Sequence, residues 1–378
     1  MADRIFTPFI PTLTHLAMVK IAIPLHNEFG IARMNEAFNR IELGNSTESE
    51  QDSEDLELIR YHRAVKYLLL IPPRLRKRVL EAVRGLEYGI CQWRADYSKI
   101  LQVEDGECIF YWRCDGTIDR MKTARQLVQN ASIDISQRFN LACTYCLEES
   151  IKSLWAEMVA SGEAVNFKID NNTMARFWLR WMREGSRVPW TQAAQKYLNP
   201  YDGAMMPRFI CFLPLFRQER RELFLPILQY ARYDDLRFCL YAITKEEEEI
   251  AVKTCALQLL CLCLEWPLRG FFLETAEKVL KYIDDHYMNI LLNHIFGTKQ
   301  KWRDFDYFEL LESFWNMIPS HLREEAQERP RIRKEIALCF DEMRKKRKAA
   351  DQELTNLKKR KIGSYTSESG YEQLNVAI

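Results

Sequence analysis

Apolar residues recur along most of this chain at helical spacing. In "PRLRKRVLEAVRGLEYG", Leu75, Val79, Ala82, Val83 and Leu86 follow the i, i+4, i+7, i+8, i+11 pattern of one buried face. Pro73 suits the first turn, where its missing N–H costs nothing, and Gly89 is placed to close the end. The run "SQRFNLACTYCLEESIKSLWAEMVASG" reads as two short helices meeting at a tight corner near Leu147. On the second, Ile151, Leu154, Trp155 and Met158 stand at i, i+3, i+4, i+7. A further helix in "NNTMARFWLRWMREG" gathers Met174, Phe177, Trp178 and Trp181 on one stripe. "TKEEEEIAVKTCALQLLCLCLEW" opens with Thr244 and Glu247 in capping-box spacing, and its glutamates suit the positive end of a helix dipole. "FFLETAEKVLKYIDDHYMNILLNHIF" and "FDYFELLESFWNMI" continue the theme. Residues 106–117, "GECIFYWRCDGT", are the one stretch that predicts a β-turn or short hairpin. Strands and helices nowhere alternate, so the pattern predicts an all-α fold.

Composition supports that prediction and adds a domain plan. Hydrophobic residues make up 47% of the 378, while Gly and Pro number only 13 each, which favours long helices with short connections. Residues 44–57, "GNSTESEQDSEDLE", are polar and acidic and read as a solvated linker, with Thr47 and Ser49 spaced for an acidophilic kinase. The plan is then an N-terminal helical segment (1–43), this linker, a helical core (58–343) and a basic tail (344–378).

The core is expected to be either an irregular helical stack or a solenoid-like array of helix pairs. Ala142, Leu147, Ile151, Leu154 and Ala231, Leu236, Leu240, Ile243 share one spacing, 0, +5, +9, +12. That spacing resembles the helix-pair core of ankyrin-type repeats, and the phrase "RFNLACTYCLEESIKSLW" resembles segments of uncharacterised arthropod proteins with divergent helical repeats. The resemblance implies stacked helix pairs and binding to other proteins, and carries no activity. The chain lacks the family's Thr-Pro-Leu-His opening and corner glycine, and its two units lie 89 residues apart, off a repeat of about 33.

Charge changes the picture at the C-terminus. The chain carries a net charge of +1, yet Arg344 to Lys361 alone hold nine Lys/Arg against Asp351 and Glu353. Lys345, Lys346, Arg347 and Lys348, then Lys358, Lys359, Arg360 and Lys361, resemble a bipartite nuclear-import signal, in which two basic clusters occupy two acidic pockets of an import receptor. The Ser/Thr-rich end beyond them reads as disordered and accessible. Two other readings stand beside this one: an arm that neutralises nucleic-acid phosphates, and the solvated end of the helix through Ile332, Ile336, Cys339 and Met343. A second basic feature is Arg176, Arg180, Arg183 and Arg187, clustered opposite the Met174–Trp181 stripe. It suits an acidic partner or a phosphate backbone, or it is an ordinary solvated face.

Signals for chemistry are sparse. There is no Walker A loop, dinucleotide fingerprint, kinase set or G-x-S-x-G elbow. Cys143-x-x-Cys146 with Cys108 and Cys114 is a loose match to a zinc site, and both members of the CxxC fall on a helical apolar face. Cys255, Cys261 and Cys263 read as core packing. His286 and His294 are about 12 Å apart on one helix, too far to share a metal. No catalytic residue, metal or cofactor is predicted. Eleven cysteines without a secretory leader point to reduced thiols. His15, Lys20 and Pro24 interrupt the apolar start, so no membrane span is expected. The expectation is therefore a soluble nuclear (alternatively cytoplasmic) protein-binding scaffold with protein partners and no membrane partner. A nucleic-acid-associated protein and an enzyme without a known motif are the alternatives.

Overall fold

Helices are the only regular elements among the residues described by the computed structural model: 5–6, 8–44, 56–102, 108–167, 172–185, 189–194, 208–212, 225–301, 307–345, 347–348 and 352. Residues 45–55 of the acidic linker, Arg187, Lys346 and the 358–361 cluster lie outside them. The chain divides into two compact units, 1–275 and 276–378.

In the first unit, α1 (Leu13–Glu42) starts at Thr12, whose hydroxyl accepts the His15 N–H, and bends at Gly30, where φ is 68°. Its stripe of Val19, Ala22, Leu25, Phe29, Met34 and Ala37 is buried, and it packs on α2 (Leu56–Leu70) and α3 (Pro73–Tyr97). The N-terminal segment thus shares a core with residues beyond the linker. α3 begins at Pro73 as expected but does not stop at Gly89, because Ile90, Trp93 and Tyr97 prolong its buried stripe for two more turns. A Cβ at Gly89 would only touch Ile118 at ordinary van der Waals distance, so packing there does not require glycine.

The turn predicted around 106–117 is present in its described part. Trp112 and Ile118 form an antiparallel bridge, and Gly116 takes φ 84° at the bend. The Trp266 ring lies against both Gly85 of α3 and Gly116, closer than a Cβ at either would permit.

α4 (Arg120–Gln129) and α5 (Ile135–Thr144) are capped by Asp119 and Asp134, each accepting backbone N–H groups. α5 turns into α6 (Glu148–Ser161) at the predicted corner, with Ile151, Leu154 and Met158 buried. A single turn, α7 (Glu163–Asn166), precedes α8 (Thr173–Glu184), which packs on α5, and α9 (Trp190–Ala193) follows. After a 3₁₀ turn (Leu225–Tyr230) come α10 (Tyr233–Ala242) and α11 (Lys245–Cys263). The Thr244/Glu247 capping box forms, and Cys255, Cys261 and Cys263 are buried.

The two sets of the shared spacing occupy different helix positions. Leu147 is the N-cap of α6, whereas Leu236 sits four residues beyond the N-cap of α10. Ahead of α11, the chain start is clipped onto the unit: Phe6 N–H donates to Glu248 at 2.8 Å, Phe9 N–H to the Tyr241 hydroxyl at 3.1 Å, and Phe6 stacks on Tyr241.

α12 (Phe272–Val279) crosses into the second unit, where α13 (Asp285–Lys301) packs on α14 (Tyr307–Met317) and α15 (Ser320–Glu328). Helix α16 (330–345) buries the predicted stripe of Ile332, Ile336, Cys339 and Met343. His286 is exposed on α13.

Candidate functional site

Three surfaces and one buried cluster hold the charged or reactive side chains. The first surface is α8. Asn172 caps it, accepting the N–H groups of Met174 and Ala175 while its own amide donates to Thr144 Oγ1 and Asn140 O at 3.1 Å. That latch turns Met174, Phe177 and Trp178 inward and leaves Arg176, Arg180 and Arg183 exposed on the far side. Arg180 pairs with Glu184 at 3.0 Å. Arg176 and Arg183 have no carboxylate partner among the described residues. The stripe is therefore present in three of its four predicted members, and Arg187 is outside the described residues.

The second surface is the end of α16. Lys345, Arg347 and Lys348 are exposed, all three are helical, and Arg347 pairs with Glu312 of α14. Lys346 and the Lys358–Lys361 half lie outside the described residues.

The third surface was not expected from sequence. At the corner between α2 and α3, Tyr67, Leu69 and Leu70 are exposed, Leu70 by 74%. Lys66, Arg74, Lys77 and Arg78 flank them along the chain, exposed and without a carboxylate partner among the described residues. Arg76 turns the other way and donates to the carbonyls of Leu68 and Ile71 at 3.0 Å, satisfying acceptors left open at the end of α2. The signal was in the letters: three leucines and an isoleucine run into two prolines and four cations within twelve residues, 67–78. Helical periodicity alone assigns those leucines to a core.

The buried cluster joins α3, α4, α10 and the segment 208–212. Arg208, 1% exposed, bonds Asp234 and reaches Asp235 at 2.8 Å and the Tyr97 hydroxyl at 3.3 Å. Arg120 bridges Asp96 and, at 3.1 Å, Asp234, and Arg232 meets Asp96 at 2.7 Å. Asp235 also accepts the Phe209 N–H at 2.9 Å, and Tyr97 donates to the Tyr145 hydroxyl at 2.7 Å.

Burial works to raise the Asp234 carboxyl, but Arg120 and Arg208 outweigh it and hold that group well below the usual carboxylate range. Asp235 is pushed up to about 6, chiefly by burial, against the pull of Arg208. Burial also raises the Tyr145 phenol. Three guanidinium groups thus face three carboxylates, which fastens the elements together. A separate pair, Arg237 with Asp115, ties α10 to the 112–118 turn.

The cysteines divide by depth. Cys143 closes α5 and is buried, Cys108 is half-buried, and Cys91 and Cys114 are exposed. Cys146 is not on a helical apolar face as expected. It lies just past the end of α5, at the α5–α6 corner, with φ 50°. Cys211 was not singled out by sequence because its environment comes from distant residues. No group of three His, Cys, Asp or Glu among the described residues is arranged to hold a metal ion. No described helix is long and apolar enough to cross a membrane. No protein family, curated protein or solved structure matches this chain.

Proposed function

We propose that this chain is a non-catalytic helical scaffold that binds other proteins and is directed to the nucleus by its basic tail. The observation that carries the binding part is the α2–α3 corner. Exposed leucines, flanked along the chain by cations that have no carboxylate partner among the described residues, mark a contact surface rather than a solvated end. Charge complementarity names the partner: an acidic protein segment that also presents apolar side chains.

The test uses the full chain and a synthetic helical peptide built from Glu and Leu, with binding followed by fluorescence anisotropy. Saturable binding that weakens as salt rises, and is lost in Leu69→Ser/Leu70→Ser, is expected. Exposed substitutions of this kind shift stability by no more than about 0.5 kcal/mol, so the variant keeps its fold. Binding that is absent at low salt, or unchanged in the variant, removes the corner as the site. A second reading, association with nucleic acid through the tail and α8, is favoured by Arg176 and Arg183, which have no carboxylate partner among the described residues. Preference for duplex DNA over the peptide, with a steep salt dependence, would select it.

A further inference from the structure

Helix α2 has more apolar surface than its place in the core uses. It packs on α1 with Ala64 and Leu68 buried, Arg40 lies 5.7 Å over the Tyr61 ring, and Phe29 meets Tyr67 at 5.8 Å. A second stripe runs beside that face. Leu58, His62, Val65 and Leu69 stand at i, i+4, i+7, i+11, within about 60° of one another around the helix. Leu58 and Leu69 are 39% and 46% exposed, and His62 and Val65 between them are half-buried. Ile59 and Leu70, both exposed, widen the stripe. Alternating steps of four and three are the spacing with which one helix seats along another in a coiled-coil seam.

Charge is ordered along the same helix. The chain enters α2 through six carboxylates, from Glu48 to Glu57, and leaves it through Lys66, Arg74, Lys77 and Arg78. Those four cations are exposed and have no carboxylate partner among the described residues. The stripe is symmetric about its middle, so α2 laid antiparallel on a copy of itself sets Leu58 opposite Leu69 and His62 opposite Val65. The acidic entry of each copy then lies towards the basic exit of the other, and the two charge patterns complement each other twice. A parallel arrangement would set acid beside acid and base beside base. The partner that fits this helix must carry its apolar steps and its charges in reverse order, and a second copy does.

We propose that two copies of this chain pair through α2, antiparallel, as a two-fold dimer. The inference rests on reading the α2–α3 corner as a contact surface, and it names the acidic, apolar partner of that corner as the start of α2 in a second copy. The contact is isologous: each copy offers its corner and accepts the corner of the other. Helix α2 has 15 residues and is about 22 Å long, so the interface is small and the dimer forms only as concentration rises.

The test starts from the full-length chain carrying Cys91→Ser and Cys114→Ser, which removes its two exposed thiols. Chains with Leu58→Cys and with Leu69→Cys are treated with a short bismaleimide, separately and mixed. A covalent dimer several-fold more abundant in the mixture than in either chain alone is expected, because two copies of position 58 lie about 16 Å apart along an antiparallel seam. Equal yields in all three samples, or no dimer in any, overturn the proposal. Sedimentation equilibrium of the untreated chain gives a second readout. Its average mass should climb from one chain towards two with concentration, and Leu58→Ser/Ile59→Ser should hold it at one. Both side chains are exposed, so that variant should keep the circular dichroism of its parent. It leaves the corner leucines in place and should still bind the Glu/Leu peptide. A chain that stays monomeric at every concentration yet binds the peptide overturns the dimer and leaves the corner reading standing. A monomer that also ignores the peptide overturns both.

Discussion

Gly85 shows how a single missing Cβ is read differently at two levels. In a helix interior, alanine is favoured over glycine by about 1 kcal/mol. The Trp266 ring, however, already occupies the space a Cβ at Gly85 would need. Forcing an extra methyl into a packed core costs about 1–3 kcal/mol, which outweighs the helical gain. Gly85→Ala should therefore lower the urea midpoint of unfolding; a midpoint that rises would mean the ring moves aside freely. The sequence placed Gly85 on a helix but could not show its neighbour, because Trp266 arrives from far along the chain. Cys146 makes a related point, since its left-handed backbone depends on how α5 ends.

Helix ends divide by how far away their partners lie. The Thr244/Glu247 box was legible because both partners are three residues apart. Asn172 looks equally local, yet its amide binds Asn140 and Thr144 on α5, about 30 residues upstream. Losing an exposed cap costs about 1 kcal/mol, and stranding buried partners adds about 1–3 kcal/mol. Asn172→Ala should accordingly destabilise the chain more than Thr244→Ala in parallel denaturant titrations. Equal losses would mean that water replaces the Asn172 amide. The end of α3 was misplaced for a related reason. A glycine marks a stop only where the buried stripe also ends, and Ile90, Trp93 and Tyr97 carry it onward.

At the scale of the whole molecule, the all-α class was legible from periodicity and from the scarcity of glycine and proline. The division near residue 275 was not, since no change in composition marks it. The tail adds a transport prediction. The 345–348 cluster is helical where described and has Arg347 paired with Glu312, so it resists being read as an extended strand. Changing Lys358, Lys359, Arg360 and Lys361 to alanine should abolish nuclear accumulation of a fluorescently tagged chain, while changing Lys345, Lys346, Arg347 and Lys348 should weaken it less. A chain that stays cytoplasmic in every form would end the nuclear reading. The clip between Phe6 and Glu248 spans 242 positions. During synthesis Phe6 leaves the ribosome long before Glu248 is made. α1 can find α2 and α3 early, yet the start of the chain must wait, exposed, until α11 emerges. The segment around Phe6 is therefore made before α1, yet it reaches its final place only after α11 has been made.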